Sequence, residues 1–179
     1  NIYNLLASLA VIKECGLNLN KTKNIFKNYK PTEGRGKIHL ISRYNKKFRL
    51  VDESYNANPL SVKNAIINFN SIKKEKFKKY LILGDMLELG DKSEMYHKNL
   101  SKVINNTDID KVFIKGEKTL FTYKYLNKSK RGNILQNKND IDFILNSIIA
   151  NRDYLMIKGS NATGLNSISK KMIKGLNVI

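Results

Sequence analysis

The hydrophobic positions of this 179-residue chain follow two different patterns. In the first part, apolar residues recur at the spacing of a helix face and predict two helices, over residues 2–12 and 21–29. Residues 31–36 then bring together one of the two prolines and two glycines. Because proline and glycine interrupt regular structure, this stretch predicts a boundary between two parts of the chain.

Beyond the boundary, the pattern predicts an α/β fold. Residues 37–42 and 48–51 read as a hairpin with its turn at 44–46. The predicted helices that follow are 59–69, 93–104, 118–126, 140–150 and 167–176, and the predicted strands between them are 80–83, 111–114, 133–135 and 154–157. Repeated alternation of strand and helix implies crossover connections. We therefore predict a Rossmann-like α/β domain with a mostly parallel sheet over residues 34–179, preceded by two helices.

The net charge of +18 raises the question of nucleic-acid binding, because a strongly basic domain is typical of such proteins. Of the 33 basic residues, only 5 are Arg. Specific nucleic-acid readers favour Arg, whose planar guanidinium grips phosphate and guanine at two points. Lys, Asn and Ile, which A/T-rich codons encode, fill 73 of the 179 positions. We favour compositional drift as the cause and keep a non-enzymatic nucleic-acid-binding module as the alternative.

Several other classes of protein are excluded by simple counts. The single cysteine, Cys15, cannot form an internal disulfide, and its spacing to the two histidines fits no metal site. The apolar runs are far shorter than the roughly 20 residues that a membrane-spanning helix requires. We expect a soluble protein of a reducing compartment.

The candidate site residues follow the predicted strands. In open α/β sheets, ligands bind beyond the carboxyl ends of the strands. Here those ends carry the strings DESYNANP at 52–59, GDMLELG at 84–90 and KGSN at 158–161. Each string alone is a weak signal, since Asn58 could simply cap the next helix. Their order along one chain is the stronger observation.

The ordered set of strings resembles the Mur ligase family. It includes the opening NIYNLLA, the pair Gly34-Arg35, the three strings above, and His97 seven residues after Gly90. Within the family, the nearest pattern is that of the ligase that joins D-alanyl-D-alanine to UDP-MurNAc-tripeptide. The resemblance implies an ATP-dependent amide ligase of peptidoglycan precursor synthesis, monomeric and cytoplasmic in a bacterium, with no membrane association. Its partners would be UDP-MurNAc-tripeptide, D-alanyl-D-alanine and ATP, with Mg²⁺ as cofactor.

The resemblance also assigns parts of the chain to family domains. Residues 1–33 would be the helical tail of the central ATPase domain, and residues 34–179 the C-terminal Rossmann-like domain. The chain contains no G-x-x-x-x-G-K-[ST] phosphate loop. We therefore expect no catalytic residue and no metal ligand in this part of the enzyme. By itself the chain should be inactive and bind neither ATP nor Mg²⁺.

Matching residue by residue, the resemblance implies two groups of binding residues. The nucleotide group is Asn1, Asn4, Arg35, Glu53 and Asn56, and the substrate group is Lys158, Ser160 and Asn161. Asn161 stands where the family has Arg, which leaves open how the dipeptide carboxylate is held. Lys158 is the remaining cation nearby, and a Mur-type ligase with another amino acceptor stays an alternative. The resemblance gives no role to Glu88 or His97.

Overall fold

A computed structural model describes residues 2–25 and 32–176 of the chain. The chain divides into two compact units, Asn1–Pro31 and Thr32–Ile179. Among the described residues, no helix is long and apolar enough to cross a membrane.

The first unit contains helix α1 (Ile2–Glu14), as its apolar spacing predicts. The second predicted helix, 21–29, is wrong in its described part. The 3₁₀ turn Leu19–Thr22 overlaps the start of this range, and residues 23–24 form a turn. The Thr22 hydroxyl donates to the Leu19 carbonyl at 2.7 Å, a local bond that competes with helix propagation. Residues 26–29 of the prediction lie outside the described residues.

The second unit is built on a six-stranded sheet with the order β1-β2-β6-β3-β4-β5. The strands are β1 (Lys37–Arg43), β2 (Lys46–Glu53), β3 (Lys79–Gly84), β4 (Lys111–Lys115), β5 (Arg131–Ile134) and β6 (Tyr154–Lys158). Strand β1 pairs antiparallel with β2, and every other pair is parallel. The predicted fold class, α/β with a mostly parallel sheet, is confirmed.

Helices cover both faces of this sheet. They are α2 (Pro59–Ser71), α3 (Ser93–Asn105), α4 (Thr119–Lys124), α5 (Lys138–Phe143) and α6 (Leu165–Ile173). Helices α2 and α3 pack in one hydrophobic core and α5 and α6 in the other. The predicted helix 140–150 changes into a π-helical turn at Ile144–Ile148. Because both faces are covered, every residue of β3 is buried, as its continuous apolar run predicts.

The chain order creates a crevice at the carboxyl edge of the sheet. Strands β3 and β6 are neighbours, but the helices that follow them pack on opposite faces. The loops therefore diverge at this point, which is where ligands bind in open α/β sheets. The loops that follow β3 and β6 leave the sheet in close contact, because a Cβ on Gly159 would lie only 3.0 Å from the Gly84 Cα. Glycine at both positions allows the loops that carry the GDMLELG and KGSN strings to leave the sheet side by side.

Candidate functional site at the carboxyl edge of the sheet

A pocket of about 260 Å³ opens where β2 and β6 end. Glu53 and Lys158 are direct neighbours in the register of these two parallel strands. Residues lining the pocket include Arg35, Glu53, Tyr55, Asn56, Asn58 and Lys158. The fold thus gathers three of the five predicted nucleotide-binding residues and one predicted substrate-binding residue around one pocket.

Lys158 is buried and holds the loop after β2. Its ammonium group donates to the Glu53 carbonyl at 3.2 Å and to the Asn56 carbonyl, and lies 3.8 Å from the Glu53 carboxylate. Burial lowers the pKa of Lys158, and the Glu53 carboxylate opposes that shift. The side chain is only 2 % exposed. The lysine predicted to meet the dipeptide carboxylate is therefore occupied by contacts within the domain.

Glu53 is the acidic group of the pocket. Its side chain keeps 24 % of its surface exposed, so the carboxylate is open to a ligand. Burial raises the pKa of Glu53, while the charge of Lys158 lowers it. An ionised carboxylate accepts hydrogen bonds only. Its chemistry at this position suits hydroxyl donors.

Arg35 reaches the pocket from the turn that precedes β1. Its guanidinium carbon lies 4.9 Å from the centre of the Tyr55 ring, within the range of a cation–π contact. Gly34 shapes the turn with a φ of +75°, and a Cβ there would lie 2.7 Å from the Tyr55 Cβ. Tyr55 did not emerge from the sequence as a site residue, although it lies inside the DESYNANP string.

The Asp52 side chain anchors the turn of Gly34 and Arg35 by hydrogen bonds. It is almost fully buried and accepts the Gly34 N–H at 2.9 Å and the Ser54 hydroxyl at 2.6 Å. Asn166, in the first turn of α6, donates to the Ser54 hydroxyl oxygen at 3.2 Å. Two sequence signals point to this network: Asp52 and Ser54 lie in the DESYNANP string, and a carboxylate stands two positions after Leu50, on the same face of the strand.

The two asparagines of the loop have different roles. Asn58 caps α2, because its side chain accepts the Ser61 N–H at 2.8 Å in a reciprocal capping box. Asn56 is exposed, and its side-chain oxygen accepts the Ala57 N–H at 2.7 Å. The Asn56 side-chain nitrogen is not part of this bond and can serve as a hydrogen-bond donor at the pocket.

Ser160 and Asn161, predicted to bind substrate, lie in unlike surroundings. Ser160 is buried; its hydroxyl oxygen accepts the Leu87 N–H at 3.0 Å, and its own N–H donates to the Asp85 carbonyl at 3.0 Å. It joins the loops after β6 and β3. Asn161 is exposed and lines a separate cleft of about 360 Å³ along α6. Three lysines line the same cleft: Lys170, Lys171 and Lys174.

His97 and Asp85 organise the loops around the crevice. His97 is fully buried; its Nδ1 donates to the Ser93 carbonyl at 2.8 Å, and its Nε2 accepts the Met86 N–H at 3.0 Å. Burial lowers the pKa of His97, which favours this neutral tautomer. Asp85 accepts the Thr119 N–H at 2.8 Å. Both motif residues therefore support the site rather than line the pocket at Glu53.

The remaining predicted residues fall in the first unit. Asn1 lies outside the described residues. Asn4 is exposed on α1, and its carbonyl accepts the Ser8 hydroxyl at 2.9 Å. Their contact with adenine stays a prediction. In the part of the chain that the structure describes, no group of three His, Cys, Asp or Glu residues could hold a metal ion.

Comparison with known proteins identifies the family. The family model described as "Mur ligase, glutamate ligase domain" matches residues 34–161. The chain belongs to the Mur ligase family. The matched segment contains all three strings at the carboxyl edge of the sheet and ends at Asn161.

Curated relatives from several bacteria share one name. The chain is 33% identical over 129 residues to the UDP-N-acetylmuramoyl-tripeptide--D-alanyl-D-alanine ligase of Bacillus subtilis, a match that covers 70% of this chain and 28% of the relative. The ligase of the same name from Escherichia coli is 27% identical over 175 residues, which cover 96% of this chain and 36% of the relative. The chain thus spans about a third of the length of these Mur ligases.

Solved Mur ligases share the fold. The MurF ligase of Thermotoga maritima, crystallised in complex with ADP, superposes with a TM-score of 0.71 at 22% identity, over 97% of this chain and 38% of that chain. MurF from Acinetobacter baumannii superposes with a TM-score of 0.75 at 19% identity, over 97% of this chain and 37% of that chain. These similarities extend the family assignment to the three-dimensional fold.

Proposed function

We propose that this chain is the part of an ATP-dependent ligase that contacts the nucleotide and the amino acceptor. The complete protein would join D-alanyl-D-alanine to UDP-MurNAc-tripeptide in peptidoglycan precursor synthesis, acting as a cytoplasmic monomer. The observation that carries this proposal is the pocket where Arg35, Glu53 and Asn56 meet, in a chain whose curated relatives bear that ligase name.

The chemistry of the pocket suits the adenosine end of ATP. Arg35 supplies a cation and a fork of donors for phosphate oxygens. The Glu53 carboxylate is an acceptor for ribose hydroxyls, and the Asn56 amide offers a donor to ribose or base. All three groups come from segments anchored on the end of β2, so their spacing is fixed before the nucleotide arrives. Such preorganisation reduces the entropy lost on binding.

We assign no Mg²⁺ ligand among the described residues of this chain. They contain no cluster of three His, Cys, Asp or Glu side chains with ligand geometry. Glu53 is the only acidic side chain that we assign to the pocket. We therefore assign to this chain the binding and orientation of the nucleotide, and no step of the reaction through a metal.

The acceptor dipeptide carries a carboxylate that needs a cation or several N–H donors. Lys158 is poorly placed for this role, since its ammonium is buried and bonded to two carbonyls. We propose instead that the carboxylate lies in the cleft of Asn161, where Lys170, Lys171 and Lys174 supply positive charge. An Arg at position 161 would enter the same cleft, so these lysines stand in for the family's Arg.

The proposal distinguishes this chain from the two alternatives. A Mur-type ligase with another acceptor would differ at the Asn161 cleft and keep the nucleotide pocket. A nucleic-acid-binding module would need exposed aromatic platforms along a basic groove. Tyr55, the aromatic residue at the pocket, is 48 % exposed, but the Arg35 guanidinium lies over its ring. We also propose that the chain alone releases no phosphate from ATP, since it contains no phosphate loop.

The proposal is tested in the complete protein by Arg35→Ala and Glu53→Ala. We expect KM for ATP to rise and KM for D-alanyl-D-alanine to stay as in the wild type. Loss of one charge-assisted contact costs roughly 1.5 to 3 kcal/mol for Arg35. Steady-state kinetics with each substrate varied in turn provide the measurement. Equal effects on both substrates would refute a nucleotide-specific role for the pocket.

A further inference from the structure

A buried chain of polar contacts links helix α6 to the turn that carries Arg35. The Asn166 amide donates to the Ser54 hydroxyl oxygen at 3.2 Å, and the Ser54 hydroxyl donates to Asp52 at 2.6 Å. The other Asp52 carboxylate oxygen accepts the Gly34 N–H at 2.9 Å. Asn166, Ser54 and Asp52 are 6 %, 0 % and 1 % exposed. The network therefore lies out of solvent.

Burying the Asp52 side chain at this position of the fold costs free energy. It shares a face of β2 with Leu50, which belongs to the hydrophobic core, so an apolar side chain would extend that core. A buried carboxylate costs free energy unless donors surround it. Here the donors are the Gly34 N–H and the N–H and hydroxyl of Ser54. All of them belong to the two segments that border the pocket.

The hydrogen bonds of Asp52 to Gly34, Gly36 and Ser54 hold the Arg35 turn on the sheet, and we call them the latch. The Gly36 N–H donates to the Asp52 carbonyl at 2.7 Å, and the Tyr55 N–H donates to the Gly34 carbonyl at 3.2 Å. Together with the Gly34 bond, these contacts fix both backbone neighbours of Arg35. The Tyr55 ring then holds the guanidinium from the side.

We propose that Asp52 is a positioning residue that presets the Arg35 turn for the nucleotide, with Ser54 and Asn166 holding its carboxylate in place. The proposal rests on the nucleotide pocket proposed above. Without the latch, Arg35 keeps its charge but must be ordered when ATP binds, and that ordering costs conformational entropy. Asp52 would thus act only through Arg35.

This dependence gives a test by double-mutant cycle in the complete protein. We expect Asp52→Asn to raise KM for ATP about tenfold, within the range for loss of a hydrogen bond to a charged group. KM for D-alanyl-D-alanine should stay unchanged. The double variant Asp52→Asn/Arg35→Ala should be no worse than Arg35→Ala alone, because the latch has no purpose without the guanidinium.

Asp153 provides a matched control at the opposite edge of the sheet. It is also buried and accepts two backbone N–H groups, those of Lys78 at 2.8 Å and Ala150 at 2.7 Å. Asp153→Asn should lower stability comparably and leave KM for ATP unchanged. Ser54→Ala, which removes a single donor to Asp52, provides a milder variant and should raise KM for ATP by a smaller factor.

Additive effects in the cycle, or an equal rise in KM for ATP in Asp153→Asn, would overturn the proposal. Hydrogen exchange separates its failure from failure of the nucleotide pocket. If Arg35→Ala leaves KM for ATP unchanged, the pocket assignment fails, but the Gly34 amide should still exchange faster in Asp52→Asn than in Asp153→Asn. Equal Gly34 exchange in these two variants would show that Asp52 does not hold the turn.

Discussion

Two buried lysines occupy opposite edges of the same sheet, and their partners differ. At the amino edge, Lys79 is fully buried and its ammonium contacts both Asp108 carboxylate oxygens at 2.9 and 3.0 Å, along with the Asn70 carbonyl at 3.0 Å. At the carboxyl edge, the Lys158 ammonium binds two carbonyls and is 3.8 Å from the nearest Glu53 oxygen. The first lysine has a directly bonded carboxylate, and the second does not.

The contrast favours the carboxyl edge as the place where a ligand binds. The acidic side chains of the amino edge are used internally, as Asp110 shows by accepting the Lys74 ammonium at 2.8 Å and the Lys79 N–H at 2.8 Å. At the carboxyl edge, Glu53 lies beside a pocket and is not directly bonded to the ammonium. From this contrast we infer that the carboxyl edge, and not the amino edge, binds a ligand.

The largest expected effect is at the amino edge. Asp108→Asn leaves the Lys79 ammonium buried without its carboxylate, and breaking a buried ion pair destabilises by several kcal/mol. Because Asp108 is 38 % exposed, we expect less than the roughly 3 to 5 kcal/mol of a fully buried pair, about 2 to 3 kcal/mol of unfolding free energy. Urea denaturation gives the value, with the exposed Glu75→Gln as control. KM for ATP in the complete protein should not change. A rise in KM would show that the amino edge also affects nucleotide binding.

A smaller effect is expected in the Asn161 cleft. Asn161→Arg adds a two-pronged cation beside Lys170, Lys171 and Lys174, and should tighten D-alanyl-D-alanine by about 1 kcal/mol. The gain should shrink as salt increases, because exposed charges are screened. KM for the dipeptide at two salt concentrations provides the measurement. Asn99→Arg, which adds the same charge on α3, is the control; an equal gain there would mean that the cleft does not hold the carboxylate.

The smallest effect concerns the protonation of Glu53. Burial raises its pKa above 4.5, so the native state binds this proton more tightly than the unfolded state. The stability of the wild type relative to Glu53→Gln should therefore fall as the pH rises from 4.5 through the native pKa. Lys158 has the opposite sign: burial lowers its pKa below 10.5, so relative to Lys158→Met stability should rise as the pH approaches 10.5. Denaturation of the wild type and the two variants across this pH range provides the measurement. A stability difference between the wild type and Glu53→Gln that does not change with pH would contradict the raised pKa of Glu53.

The sequence predicted the sheet better than the site. Apolar runs such as Tyr80 to Leu83 are determined by burial on both faces, which leaves a direct trace in the sequence. The 3₁₀ turn at Leu19–Thr22 escaped prediction because its cause is a side-chain bond to the backbone, not a hydrophobic period.

Site residues that belong to a family motif could be anticipated, and their partners in the fold could not. Arg35 and Glu53 meet at the pocket as the family pattern implies, although their contact with a nucleotide stays a prediction. The link between Asn166 and Ser54 spans 112 positions of the chain, and no local pattern records such a contact. The burial of Lys158 was likewise invisible, since a lysine at a strand end is usually exposed.

We propose that the nucleotide binds at the carboxyl edge of the sheet and not at the amino edge. Hydrogen–deuterium exchange of the complete protein, with and without a non-hydrolysable ATP analogue, tests it most directly. We predict slower exchange in the segments 32–36 and 53–58, and unchanged exchange at 108–111 and 150–154. Protection of the amino-edge segments, or no protection at either edge with the analogue at saturation, would show that the nucleotide does not bind at the carboxyl edge.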